Sequence, residues 1–149
     1  MSAAPDCLFC EIVAGKRDAH VVLSDDVSLG FLDHRPLFAG HTLVVPRDHH
    51  EALWDLPPEL VEPLFANVRL LSLAVRDAMG AQGSFVAANN IVSQSVPHLH
   101  VHVVPRVRRD GLRGFFWPRR KYEGDGHVAE TAAAIRAEVE KLRDGQGAG

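Results

Sequence analysis

Residues 98 to 104, HLHVHVV, carry a histidine at every second position with an aliphatic residue between. A period of two is the period of a β-strand. His98, His100 and His102 are therefore predicted on one face, and Leu99, Val101 and Val103 on the other, entering a core. Three imidazoles in register admit three readings: a metal site, a catalytic imidazole, or a histidine-rich surface stripe. The rest of the chain has to separate them.

Further elements follow from pattern. CLFCEIVAG reads as a short helix ended by Gly15. HVVLS and VSLGFLD, joined across Ser24-Asp25-Asp26, read as a hairpin. HTLVVP reads as an interior strand stopped by Pro46, and SFVAANN supplies a strand before the histidine strand. From Pro57 to Met79, residues Leu60, Leu64, Val68, Leu71, Val75 and Met79 recur in steps of three or four, predicting a long helix. Pro63 lies inside it, so a kink or a later start is expected. A last helix is predicted from about Asp125 to Leu142, with Val128, Ile135, Val139 and Leu142 on its inner face. The sum is an α+β domain: a five-stranded antiparallel sheet with a long helix and a C-terminal helix.

With 149 residues, 46% of them hydrophobic and 23% charged, the chain has the size and apolar content of one domain. A net charge of −3 gives no general reason to bind nucleic acid or an anionic membrane. No apolar run approaches the ~20 residues of a membrane span, and a cytoplasmic location is expected. The only cysteines, Cys7 and Cys10, have the spacing of a metal pair or a redox motif.

A neutral imidazole attacks phosphorus near pH 7, and the phosphorus–nitrogen bond it forms is open to hydrolysis. Such a ring needs one nitrogen aimed outward and the other pinned, which the middle histidine of a strand triad can achieve. Gln94 and Ser95 place an amide and a hydroxyl just upstream, where donors could hold a phosphate.

HLHVHVV matches the H-x-H-x-H-x-x pattern, with hydrophobic x, of the histidine triad nucleotide hydrolases and transferases. CLFCEIVAG, SLGFLDHRPLFAGHTLVVPRDHHEALWDLPPE and NN…QSVPHLHVHVVPR follow the bacterial members in order, and GLRGFFWPRRKY does so more weakly. The chain thus resembles the histidine triad (HIT) family over about residues 7–106. The resemblance implies a single HIT domain across 1–149, with a C-terminal segment and helix over 107–143. By position, His100 matches the nucleophile that forms a nucleotidyl-histidine intermediate, His102 the ring that contacts phosphate, and His41 a buttressing histidine. Ser95 matches the hydroxyl near the leaving group, Asp33 the acid that grips the ribose, and Asn89 a phosphate-side amide, with Asn90 its alternative. Gln94 is grouped with these substrate contacts. Phe9, Ile12, Phe31 and Leu32 fall where the family forms its base pocket, although such residues serve equally as core.

The implied reaction is hydrolysis or nucleotidyl transfer at the α-phosphate of nucleoside phosphoramidates or related purine nucleotides. Its alternatives are a dinucleoside polyphosphate hydrolase and a zinc-stabilised nucleotide-binding protein with weak catalysis. The resemblance also implies a closed structural zinc site at Cys7, Cys10, His49 and His98, with His50 the local competitor of His49. It implies a homodimer whose C-terminal segment approaches the partner's site, where Trp117 would help select substrates. The arginines between Arg106 and Lys121 read as a solvated face. One departure stands out: between the asparagines and Gln94 this chain has Ile91-Val92-Ser93. Bacterial members have a loop two residues longer that carries two glycines. Ser93 must therefore adopt a glycine-like geometry, or a phosphate contact is altered.

Overall fold

In a computed structural model, which describes residues 3–113 and 119–146, five strands form one antiparallel sheet in the order β1-β2-β3-β5-β4. They are β1 (Val21–Ser24), β2 (Ser28–Leu32), β3 (Thr42–Pro46), β4 (Gly83–Ala87) and β5 (Val101–Arg106). The helices are α1 (Leu8–Val13), α2 (Pro58–Ala78) and α3 (Asp125–Gln146), with one 3-10 turn at Leu53–Asp55. The chain divides into two compact units, one ending at Gly111 and one beginning at Leu112. No helix among the described residues is long and apolar enough to cross a membrane.

In the first unit the sheet separates two cores. Residues directly opposed across strands share a face, and Val44 opposes Val101 while Thr42 opposes Val103. That face is covered by α2: Leu64, Val68, Leu71 and Val75 are buried with Val44, Leu99, Val101 and Val103. Each such side chain contributes about 1.5–3 kcal/mol when fully buried. Gly30 permits the approach, because a Cβ there would stand 2.8 Å from Leu71 Cδ1. The other face carries an unbroken row, Val21–Phe31–Leu43–His102, one residue from each of four neighbouring strands. Against it packs α1, whose Phe9 and Cys10 are buried with Leu29, Phe31, Leu43 and Val45.

The histidine strand is therefore two-faced, as its period demands. Its regular hydrogen bonding begins only at Val101; His98 and His100 precede it. They keep the alternation because Leu99 N–H donates to the His50 carbonyl at 2.6 Å, holding the chain extended. His98 and His100 are 0% and 2% exposed, which a surface stripe would not be.

Two expectations are corrected. α2 starts at Pro58 and continues through Pro63, so the later start is not what the chain adopts. A proline there removes the hydrogen bond to the Glu59 carbonyl and crowds that carbonyl, but Glu59 is exposed, so water can replace the lost donor. In the second unit α3 extends to Gln146, and Val128, Ile135, Val139 and Leu142 are 41–64% exposed instead of inward-facing. Periodicity identifies which stripe of a helix is apolar, not what covers it. Trp117 lies outside the described residues.

Candidate active site

Cys7 caps the N-terminus of α1, its Sγ accepting the Cys10 N–H at 3.5 Å, so both sulfurs emerge at one end of the helix. There they meet two histidines. His98 Nδ1 stands 3.5 Å from Cys7 Sγ and 3.5 Å from Cys10 Sγ, and His49 Nδ1 stands 3.4 Å from Cys10 Sγ. The four ligand atoms lie within 4.8 Å of one another. The local competitor His50 is not in this cluster; its backbone carbonyl is turned to Leu99.

The donor set fits a tetrahedral zinc ion. Zn–S of about 2.3 Å and Zn–N of about 2.0 Å place sulfur and nitrogen about 3.5 Å apart around such a centre. His98 Nε2–H donates to the Pro46 carbonyl at 2.9 Å. The ring is neutral, its pKa pushed down to about 4 chiefly by burial. Nδ1 therefore offers a single lone pair, and two sulfurs converge on it. Each thiol has an imidazole nitrogen within reach, Cys7 that of His98 and Cys10 those of His98 and His49, and a single cation would engage all four ligand atoms at once. Burial pushes the Cys10 thiol pKa up, so zinc binding there would release protons.

Two residues on, the same device yields a different group. His100 Nδ1–H donates to the His98 carbonyl at 2.7 Å, which leaves the Nε2 lone pair free. His102 is set through His41. The Leu37 N–H donates to His41 Nδ1 at 3.1 Å, so His41 carries its proton on Nε2. That proton is given to His102 Nδ1 at 2.9 Å, and His102 therefore presents an Nε2–H. Both rings are held neutral, His41 lowered mainly by burial and His102 pushed down to about 4 by burial and then by the neighbouring His100 and His41. Asp33 opposes this from 3.7 Å, its Oδ2 facing His41 Nε2.

His100 and His102 line a cleft of about 520 Å³ together with Ser95, Asp33, Phe9, Ile12, Phe31 and Leu32. The Phe9 ring meets His100 edge-on at 5.1 Å and Phe31 at 5.4 Å. His41 stands behind His102 without reaching the lining. The sequence reading missed Leu43 and Val96, and the polar turn from Arg17 to His20, all of which line the cleft. For Leu43 a signal existed: it lies two residues from His41 in a strand, and the register opposes it to His102. The structure does not bring Asn89 or Gln94 to the lining. Asn89 Nδ2 donates to the Ser93 carbonyl at 3.1 Å, while Gln94 accepts the Ile91 N–H at 3.0 Å and donates to the Glu51 carbonyl at 2.6 Å.

The sequence profile of the HIT domain matches residues 14–109. The chain belongs to the HIT domain family. Among its relatives is an adenylylsulfatase of Arabidopsis thaliana, 36% identical over 109 residues. That match takes in 72% of this chain and 55% of the plant protein, so the chain spans little more than half of that relative's length. An adenosine 5′-monophosphoramidase of Schizosaccharomyces pombe is 33% identical over 114 residues, 75% of this chain and 83% of the yeast protein. Among solved structures, a HIT family member from Bacillus subtilis superposes with a TM-score of 0.81 at 30% identity, covering 89% of this chain and 96% of that one. A zinc-bound histidine triad protein from Mycobacterium smegmatis gives a TM-score of 0.69 at 36% identity, covering 94% and 97%. Cys7, Phe9, Cys10 and Ile12 precede the span matched to the HIT domain, so their place in the site is argued from the geometry above.

In this HIT domain the loop between Asn90 and Gln94 is strained. Ile91 and Ser93 both adopt left-handed backbone, φ +66° and +60°. Ser93 thus takes the glycine-like geometry, and Ile91, β-branched and 52% exposed, takes it as well. A non-glycine residue there costs about 1–2 kcal/mol, part of which glycine returns as unfolded-chain entropy. Ile91→Gly is therefore expected to stabilise the protein by about 1 kcal/mol, read from the urea midpoint; destabilisation would contradict the strain.

Stability should also fall with pH through His102. Its folded pKa of about 4 lies below the ordinary 6.5, so between these values the unfolded chain binds more protons. The contribution is complete above 6.5, declines as pH falls through the window and levels off below about 4. Urea titrations across that range should show a shallower slope for His102→Gln than for the parent HIT domain.

Proposed function

We propose that this chain is a nucleotide hydrolase or nucleotidyl transferase acting at the α-phosphorus of nucleoside 5′-phosphates that bear a leaving group, by way of a nucleotidyl group carried on His100. One observation carries the reading: the hydrogen bond from His100 Nδ1 to the His98 carbonyl, which leaves Nε2 bare on a ring lining the cleft. Nε2 attacks the α-phosphorus; the new P–N bond forms as the bond to the leaving group breaks, its electron pair departing with that group. A sulfate leaves without a proton, and an amine takes one from water at the mouth of the cleft.

The proton stays on Nδ1, donated to the His98 carbonyl throughout. The nucleotidylated ring is therefore a cation, and cationic imidazole is a good leaving group. Water attacks the phosphorus and gives its proton to solvent, the P–N bond breaks with its electron pair returning to Nε2, a nucleoside monophosphate is released, and the neutral ring is restored. His102 Nε2–H and the Ser95 hydroxyl donate to the phosphoryl oxygens as negative charge builds on them. Phe9, Ile12, Phe31 and Leu32 hold the base, and Asp33 accepts from the ribose hydroxyls. Cys7, Cys10, His49 and His98 would hold zinc, whose role would be structural, since four protein ligands would leave no position for substrate or water.

The two relatives named above supply the substrate class. An adenylylsulfatase and an adenosine 5′-monophosphoramidase share an adenylyl group and differ only in what leaves. Incubation with adenylyl sulfate and with adenosine 5′-phosphoramidate tests this. AMP release from either is expected; release from neither overturns the reading.

A further inference from the structure

We infer that Asn90 and Gln94 are positioning residues that hold Ser95 against the cleft, and that neither is a phosphate ligand. The inference rests on the catalytic reading just given. Ser95 follows a loop whose Ile91 and Ser93 stand at φ +66° and +60°, a conformation that persists only where surrounding contacts over-determine it. Those contacts are side-chain amides. Asn90 Oδ1 accepts the Leu53 N–H at 2.8 Å. Gln94 uses both ends, Oε1 taking the Ile91 N–H and Nε2 donating to the Glu51 carbonyl.

All the anchors outside the loop lie on one short segment, residues 50–53. On the far side of Ser95, Leu99 N–H donates to the His50 carbonyl. Ser95 is thus slung between Gln94 and Leu99, both fastened to that segment. The segment is itself anchored: Ala52 is fully buried, and its N–H donates to Asp55 Oδ2 at 3.0 Å. To bind phosphate, Gln94 would have to give up bonds that keep the strained loop closed.

The two roles predict opposite effects of one substitution. An aspartate at position 90 still accepts the Leu53 N–H, but beside a phosphate its charge would repel. Steady-state turnover of adenosine 5′-phosphoramidate should show Asn90→Ala and Gln94→Ala losing about ten- to a hundredfold in kcat with KM nearly unchanged, since small misplacements of a reacting group cost that much. Asn90→Asp should keep kcat and KM close to wild type. A kcat/KM for Asn90→Asp below that of Asn90→Ala overturns the inference. Should Asn90→Ala fail to fold, Asn90→Asp against wild type decides, a large loss of kcat/KM counting against the positioning role.

Hydrogen exchange separates this inference from the functional reading. The Leu53 amide should be protected in wild type and Asn90→Asp and exchange faster in Asn90→Ala. Equal exchange in all three overturns the clamp. A wild-type protein that protects Leu53 yet releases no AMP overturns the reading of function instead.

Discussion

Mixed with adenosine 5′-phosphoramidate and quenched within a turnover, the wild-type protein is expected to gain the mass of one adenylyl group, and His100→Ala to gain none. Steady-state AMP release by His100→Ala should fall by at least about a thousandfold, because removing the nucleophile removes the two-step path itself. His102→Ala makes the informative contrast. In the proposed mechanism that ring would give its Nε2–H to the phosphoryl group, its Nδ1 accepting from His41. The adduct should still form, slowed by about a hundredfold, the usual cost of one oxyanion donor. An adduct on His100→Ala, or turnover within tenfold of wild type, would place the nucleophile elsewhere.

Loss of the metal cluster should be the largest effect on stability. Wild type purified without chelator is expected to carry about one zinc per chain, and Cys10→Ser much less. The Cys10 sulfur stands against both ring nitrogens, at 3.4 Å and 3.5 Å. A bound ion stabilises the folded state by its binding free energy, so a loss of about 3 kcal/mol or more is expected, roughly 10 °C in Tm. The consequence should reach the cleft. The same six-residue helix that holds the sulfurs holds Phe9 against His100 at 5.1 Å, so nucleotide KM should rise as α1 loosens. Equal zinc in Cys10→Ser and wild type would rule out this ligand set.

These two sites sit side by side because of one repeated arrangement. His98 and His100 each spend one ring N–H on a backbone carbonyl, but with opposite nitrogens: Nε2 on Pro46 and Nδ1 on His98 itself. The lone pair left over is Nδ1 in His98, turned to the sulfurs, and Nε2 in His100, left free on the cleft-lining ring. Two chemistries follow from the choice of nitrogen.

By itself the sequence determined the two-faced histidine strand, the five strands and α2, while the grouping of Cys7, Cys10, His49 and His98 came from the resemblance. Period and spacing are local properties, and the resemblance carried the roles across. Only the tertiary structure decided which ring nitrogen each histidine exposes, since that depends on carbonyls up to 52 residues away. It also decided where the amides before the triad point. Asn89 reads as a phosphate-side amide by resemblance and Gln94 by its place beside Ser95; in the structure their hydrogen bonds go to the loop and to the residue 51 carbonyl. The stripe on α3 read as a buried face and is exposed for the same reason. A chain states which groups are polar or apolar; what each one meets is fixed only when distant segments pack.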